Sequence, residues 1–111
     1  MKFKVEDRGD ATVLAIHEKK IDLGISAELK AEFLLLCKPR TRKKLILDLT
    51  DVQFCDSSGL SALLIADRTM RAHGGMVHLV HLHQKIHELL KLSQLDRIFT
   101  INKSVAEALK A

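Results

Sequence analysis

The 111-residue chain contains no tryptophan, no tyrosine and only four phenylalanines. Surfaces that capture single-stranded nucleic acid stack bases on aromatic rings, and this chain has few rings to offer. Cations do cluster: Lys38, Arg40, Arg42, Lys43 and Lys44 crowd the stretch around the only proline, in a chain of net charge +4. With no recognisable DNA- or RNA-binding motif beside them, they read as a solvated connecting loop rather than a phosphate-backbone patch. No direct nucleic-acid partner is expected. Cysteine is equally sparse, and Cys37 and Cys55 fit neither a zinc-ligand spacing nor a disulfide framework. They are expected as reduced, buried thiols. No apolar run approaches the roughly 18 residues that a membrane span needs. The opening MKFKVEDRGD lacks the apolar centre of a signal peptide. These absences argue against membrane insertion and predict a soluble, cytoplasmic protein. The length fits a single domain over residues 1–111, able to bury roughly two thirds of its unfolded surface without a disulfide staple.

What is present is a regular alternation of apolar runs and turns. FKVEDRGDATVLAIHEK predicts two strands around a turn at Arg8-Gly9-Asp10, the first alternating and at an edge, the second (Val13 to Ile16) more buried. Ile25, Leu29, Phe33 and Leu36 recur at helical spacing up to Pro39, which disfavours helical geometry in the residue before it. Leu45 to Leu49 is a short apolar run of the kind found in strands covered on both faces. A helix is predicted from Gly59, with Ala62, Leu63, Ala66 and Met70 inward, Asp67, Arg68 and Arg71 toward solvent, and Gly74-Gly75 as a left-handed stop. A strand at Met76 to Leu82, a helix around Ile86, Leu89 and Leu90, a strand at Ile98 to Ile101 and a helix through Val105, Ala108 and Leu109 complete the pattern. The order β-β-α-β-α-β-α-β-α predicts an α/β fold: a mixed, mostly parallel sheet, its first strand antiparallel, with about four helices packed on it. No internal repeat, low-complexity tract or linker interrupts it.

In open α/β sheets, sites gather where strands end and helices begin, which directs attention to Asp22 and to FCDSSGLSAL (Phe54 to Leu63). The latter places an acid, two hydroxyls and a glycine between a strand and a helix, more than a cap requires. A hydrolase nucleophile needs G-x-S-x-G, and the position two before either serine holds Cys55 or Asp56. Phosphate-cradling G-x-x-x-x-G-K-[ST] and G-x-G-x-x-G are absent too. His73, His78, His81, His83 and His87 fall within one short stretch, and His83 and His87 are four apart. HQKIH nevertheless has glutamine where a zincin needs glutamate, and a third ligand is missing. His78 and His81 are expected on opposite faces of their strand. The histidines therefore read as structural or surface residues, and no metal, cofactor or catalytic residue is expected. By spacing alone DSSG is a helix cap: serine and aspartate as caps are each worth ~1 kcal/mol, and glycine eases the turn.

LILDLTDVQFCDSSGLSALLIADRTMRAHGG, followed by VHLVHLHQKIHELLKLSQLDRIFTI, closely resembles the STAS domain family, whose best-known members are bacterial anti-sigma factor antagonists. The most specific stretch runs through Asp51-Val52 to Asp56-Ser57-Ser58-Gly59-Leu60. Leu92-Ser93-Gln94-Leu95 is a second match, with glutamine where relatives commonly carry glycine. A proline common after the fourth strand is absent from His81-Leu82-His83-Gln84. The resemblance implies a partner switch. The unmodified antagonist binds a serine-kinase anti-sigma factor and sigma factor is released; phosphorylation of one serine ends binding, and a PPM-type phosphatase restores it. That serine corresponds to Ser58. The implied partner surface is Asp22, Asp56, Ser57, Ser58, Gly59 and Leu60. The alternative the family offers is the STAS subunit of an ABC-type phospholipid transporter, docking on its ATPase; such relatives often have a threonine or a single serine in the motif, and the intact DSSGL favours signalling.

Overall fold

The computed structural model describes residues 2–38 and 43–111. Strands β1 (Phe3–Arg8) and β2 (Ala11–Ile16) form a hairpin whose turn is carried by Gly9 at φ +73°, a backbone region that costs glycine nothing. Parallel strands β4 (Lys44–Asp48), β6 (Met76–Val80) and β7 (Thr100–Asn102) extend the sheet in the order β1-β2-β4-β6-β7, with β1 its antiparallel edge. Charged, exposed residues line β1, as suits an edge that must not recruit another strand. A second sheet, not foreseen from the sequence, consists only of β3 (Lys20–Ile21) and β5 (Phe54–Cys55), paired in parallel.

Among the described residues four α-helices pack on the main sheet, three on one face and one on the other. Leu29 and Phe33 of α1 (Leu23–Cys37), Ala62, Leu63, Ala66 and Met70 of α2 (Ser57–Arg71), and Ile86 and Leu90 of α3 (Gln84–Leu92) share a buried cluster with Leu14, Leu45, Leu47, Val77 and Leu79. The alternate residues of the same strands, Val13, Ile46 and Val80, meet Ala108 of α4 (Val105–Lys110) on the opposite face. Because side chains alternate across a strand, β4 and β6 must be apolar on consecutive positions to serve both layers. That requirement explains the unbroken run Leu45-Ile46-Leu47.

Several sequence expectations shift. The buried line of α1 is Ser26, Leu29, Phe33 and Cys37, with Ile25 and Leu36 only half-buried beside it. Helix α2 starts at Ser57, two residues before Gly59. Asp67 is buried, not solvent-facing: its carboxylate accepts two bonds from Arg71 Nε at 2.9 and 3.0 Å, while Arg71 Nη2 donates to the Ile98 carbonyl at 2.6 Å. Pairing and hydrogen bonding make a buried carboxylate tolerable, and this one ties α2 to the chain entering β7. Strand β6 stops at Val80, because His81 adopts φ +57° and leaves the sheet. Leu95–Arg97 form a 3₁₀ turn, so the last strand starts at Thr100 rather than Ile98. Expectations resting on Pro39, Arg40 and Arg42 lie outside the described residues.

The smaller helix is held by polar contacts as well as packing. Lys44 Nζ donates to the carbonyls of Ala108 and Ala111 at 2.6 and 2.7 Å, placing a cation on the carbonyl end of α4. On the same sheet face, His78 is buried with Nδ1 2.7 Å from Asn102 Oδ1. Burial lowers its pKa below the ordinary 6.5; the Asn102 bond opposes this, and the Lys44 ammonium reinforces it. The folded imidazole therefore stays neutral where the unfolded chain has begun to take up a proton. Stability should fall as pH drops from about 6.5 toward the lower folded-state value, since the unfolded state binds more protons in that window. In urea melts at successive pH values His78→Gln should flatten this decline; an unchanged slope would assign the acid sensitivity elsewhere. Gln94, at φ +61° ψ +18° between α3 and the 3₁₀ turn, occupies a region that costs non-glycine residues ~1 kcal/mol. Gln94→Gly should raise the urea midpoint by an increment of that order or somewhat less, and a lower midpoint would contradict the strain.

Candidate functional site

The two-residue sheet determines where the site lies. Each of its strands runs directly into an aspartate and then a 15-residue helix: Ile21-Asp22-α1 and Cys55-Asp56-α2, with Ile21 and Cys55 in register. The two helix N-termini are thereby set side by side. Asp22 caps α1, its Oδ1 accepting from the Gly24 amide at 3.0 Å. Asp56 caps α2 through Oδ1 and the Gly59 amide at 2.9 Å, and its Oδ2 accepts from the Leu23 amide of α1 at 3.3 Å. One carboxylate thus serves both helix starts, where backbone amides lack intrahelical partners and the macrodipole favours negative charge. The Asp56 amide closes the loop by donating to the Ile21 carbonyl at 3.2 Å.

Gly59 makes this approach possible. A Cβ there would lie 2.3 Å from the Ile21 carbonyl oxygen and 2.6 Å from Cys55 Sγ. The equivalent cap-bonded glycine of α1, Gly24, has much more room, with Asp22 Oδ1 at 3.2 Å. Cys55 itself is buried, and its thiol is pushed up to about 12, first by burial and then by the Asp56 carboxylate. A thiol so protonated at neutral pH is a poor nucleophile.

The structure brings together all six residues singled out from the sequence, in different roles. Asp22 and Asp56 are the caps. Ser57 is exposed and Ser58 half-buried in the first turn of α2, and neither hydroxyl hydrogen-bonds to a described residue. Gly59 is buried at the helix contact, and Leu60 is half-buried against the main core. Asp51, of the Asp51-Val52 pair, has Oδ2 2.9 Å from His17 Nδ1, whereas Val52 is fully buried. Two residues that sequence reasoning passed over complete the surface: Leu23 is 75 % exposed and Phe54 50 % exposed, one on each strand-to-helix segment. Leu23 directly follows the capping Asp22, an apolar side chain the helix stripe did not call for, whereas Phe54 lies two residues before Asp56 and shares a cleft with Lys85, Ile86 and Leu89 of α3. The arrangement offers a shallow, ordered surface with two acceptor-rich caps, two hydroxyls without intramolecular partners and two apolar contacts. Among the described residues neither serine is bonded to an imidazole.

Residues 2–108 match the family model of the STAS domain. A Thermotoga maritima protein bearing the name of an anti-sigma factor antagonist is 33% identical over 67 residues, which span 60% of this chain and 59% of that relative. The crystal structure of an anti-sigma factor antagonist from Thermotoga maritima is 26% identical and superposes with a TM-score of 0.84, covering 97% of this chain and 92% of that one. The Bacillus cell fate determinant SpoIIAA in its phosphorylated form shares the fold at 18% identity, with a TM-score of 0.75 over 98% of this chain and 97% of its own.

The contrast between the two glycines gives a paired test. Gly59→Ala should cost about 3 kcal/mol, the upper end of what overpacking costs, and should separate β5 from β3. Gly24→Ala should cost under about 1 kcal/mol, the scale of a neighbour's small adjustment. Urea denaturation of both variants checks this; equal losses would remove the close approach as the organising constraint.

Proposed function

The chain belongs to the STAS domain family, and we propose that it acts as an anti-sigma factor antagonist in a partner-switching pathway. In its unmodified form it binds a serine-kinase anti-sigma factor and so frees sigma factor. Phosphorylation of Ser58 ends the complex and a PPM-type phosphatase restores it. The protein works by binding, in the cytoplasm, without catalysis of its own. Among the described residues no helix is long and apolar enough to cross a membrane, in keeping with that setting.

The observation that carries this reading is the first turn of α2: hydroxyls without intramolecular partners, beside a carboxylate shared by two helix starts and flanked by exposed Leu23 and Phe54. Leu23 and Phe54 supply the apolar part of an interface, and Asp22, Asp56, Ser57 and Ser58 its polar part. Leu60 and Gly59 support it from beneath. Exposure favours Ser57, while correspondence with the family's acceptor favours Ser58. A relative of the same fold has been solved in a phosphorylated form, which supports phosphorylation as the kind of modification involved.

Charge explains how modification would act. A phosphate adds roughly −1.5 to −2 charge and three acceptor oxygens. The amides and dipole at the start of α2 tolerate a negative group, so the fold need not change. An interface that has accommodated the neutral hydroxyl beside Asp56 faces an added like charge. At about 4 Å and an effective dielectric of 20, such a pair costs about 4 kcal/mol, which corresponds to roughly a thousandfold loss of affinity.

Pull-down and calorimetry with the kinase partner should find that Ser58→Ala binds like the unmodified protein and resists ATP-driven release. Ser58→Asp should bind weakly, by a factor approaching the roughly thousandfold loss above. Equal binding by both variants would refute the interface, and phosphate found by mass spectrometry on Ser57 alone would move the acceptor by one residue. Recovery with an ABC-type ATPase in place of a kinase would transfer the protein to the transporter branch of the family.

A further inference from the structure

A cleft of about 460 Å³ is lined by none of the residues at the α2 start. It opens beyond the carboxyl ends of β6 and β7, between His81 and Leu82 on one side and Lys103 on the other, with His87 of α3 and Glu107 of α4 as walls. Its position has a topological cause. The chain leaving β6 packs as α3 on the same face as α1 and α2, whereas the chain leaving β7 packs as α4 on the opposite face. Two adjacent parallel strands that send their helices to opposite faces leave a crevice at their carboxyl ends, the place where open α/β sheets bind ligands.

Three features set the cleft apart. His81 adopts φ +57°, a conformation unfavourable to a residue with a Cβ, at the point where the cleft begins. The imidazoles of His81 and His87 and the ammonium of Lys103 have no hydrogen-bond or ion-pair partner among the described residues. The single opposing carboxylate, Glu107, already has Oε1 occupied, by Asn102 Nδ2 at 3.2 Å and the Lys103 amide at 3.4 Å. Lys103 and Glu107 offset each other in formal charge, and the unpaired groups left to meet a ligand are the Lys103 ammonium and the His81 and His87 ring nitrogens, over a floor to which Leu82 and Ile101 contribute apolar surface. The cleft volume falls in the range of small-molecule sites.

We propose that this cleft binds a small organic anion, its carboxylate or phosphate monoester held by Lys103, His81 and His87 and its apolar body against Leu82 and Ile101. The two headgroups share the chemistry of the site, and the titration separates them. Amide shifts of the full chain would be followed by NMR with phenyl phosphate, with phenylacetate and with neutral benzyl alcohol. At least one acid should give saturable shifts at His81, Leu82 and Lys103, and the tighter of the two identifies the headgroup. Lys103→Gln and His87→Gln should each weaken binding about tenfold, the effect of one charged hydrogen bond, whereas Lys110→Gln, outside the cleft lining, should not. The proposal is overturned if neither acid saturates, if the alcohol binds as well as the acids, or if the shifts fall only at Leu23, Ser57 and Ser58. None of these results bears on the modification of Ser58, so the two readings fail separately.

Discussion

The structure around the site depends on a single close approach, that of the first turn of α2 to the backbone of β3 at Gly59. With no Cβ in the way, the Ile21 carbonyl lies against the helix start, and the two-residue pair β3–β5 can form. Everything that distinguishes this surface follows from it. The two helix N-termini become neighbours, and Asp56 spans both. A larger residue at position 59 would leave each helix with its cap but remove their common edge.

The rest of the molecule holds this edge steady by polar ties between layers as well as by packing. Asp67 and Arg71 connect the middle of α2 to the chain before β7. Lys44 and His78 organise the thinly covered second face of the sheet. The Arg71–Ile98, Lys44–Ala108 and His78–Asn102 bonds each join segments distant in sequence. The surface that carries the serines can therefore stay ordered while its own hydroxyls remain unbonded.

Much of this was legible in the sequence because it depends on local chemistry. Alternation marked β1 as an edge, the unbroken Leu45-Ile46-Leu47 marked a strand covered twice, and Asp56 before two serines and a glycine marked a helix start. The misreadings arose where a distant partner decides. Asp67 looked solvent-facing because its burial is licensed by Arg71 and the Ile98 carbonyl. The strand through His81 looked continuous because a left-handed residue other than glycine leaves no trace in composition. The β3–β5 pair was invisible, since two residues carry no periodicity. Its repeat, Ile21-Asp22 against Cys55-Asp56, is too short to stand out. Asp22 and Asp56 could be named as candidates from the sequence, but that one carboxylate bonds to both helix starts is a fact of packing alone.

The twin helix starts have one further consequence. Asp22 is followed by Leu23-Gly24, and Asp56 by Ser57-Ser58-Gly59, so the second segment carries one residue more before the glycine that donates to its cap. The molecule thus holds two near-copies of one strand-cap-helix start, matched in strand, cap and helix length, of which only the second carries hydroxyls between its capping aspartate and its glycine. The Asp56 carboxylate is the one side chain that bonds to both starts. The two starts are therefore tied at a single acceptor, so neither helix can shift along its axis without loosening the cap of the other.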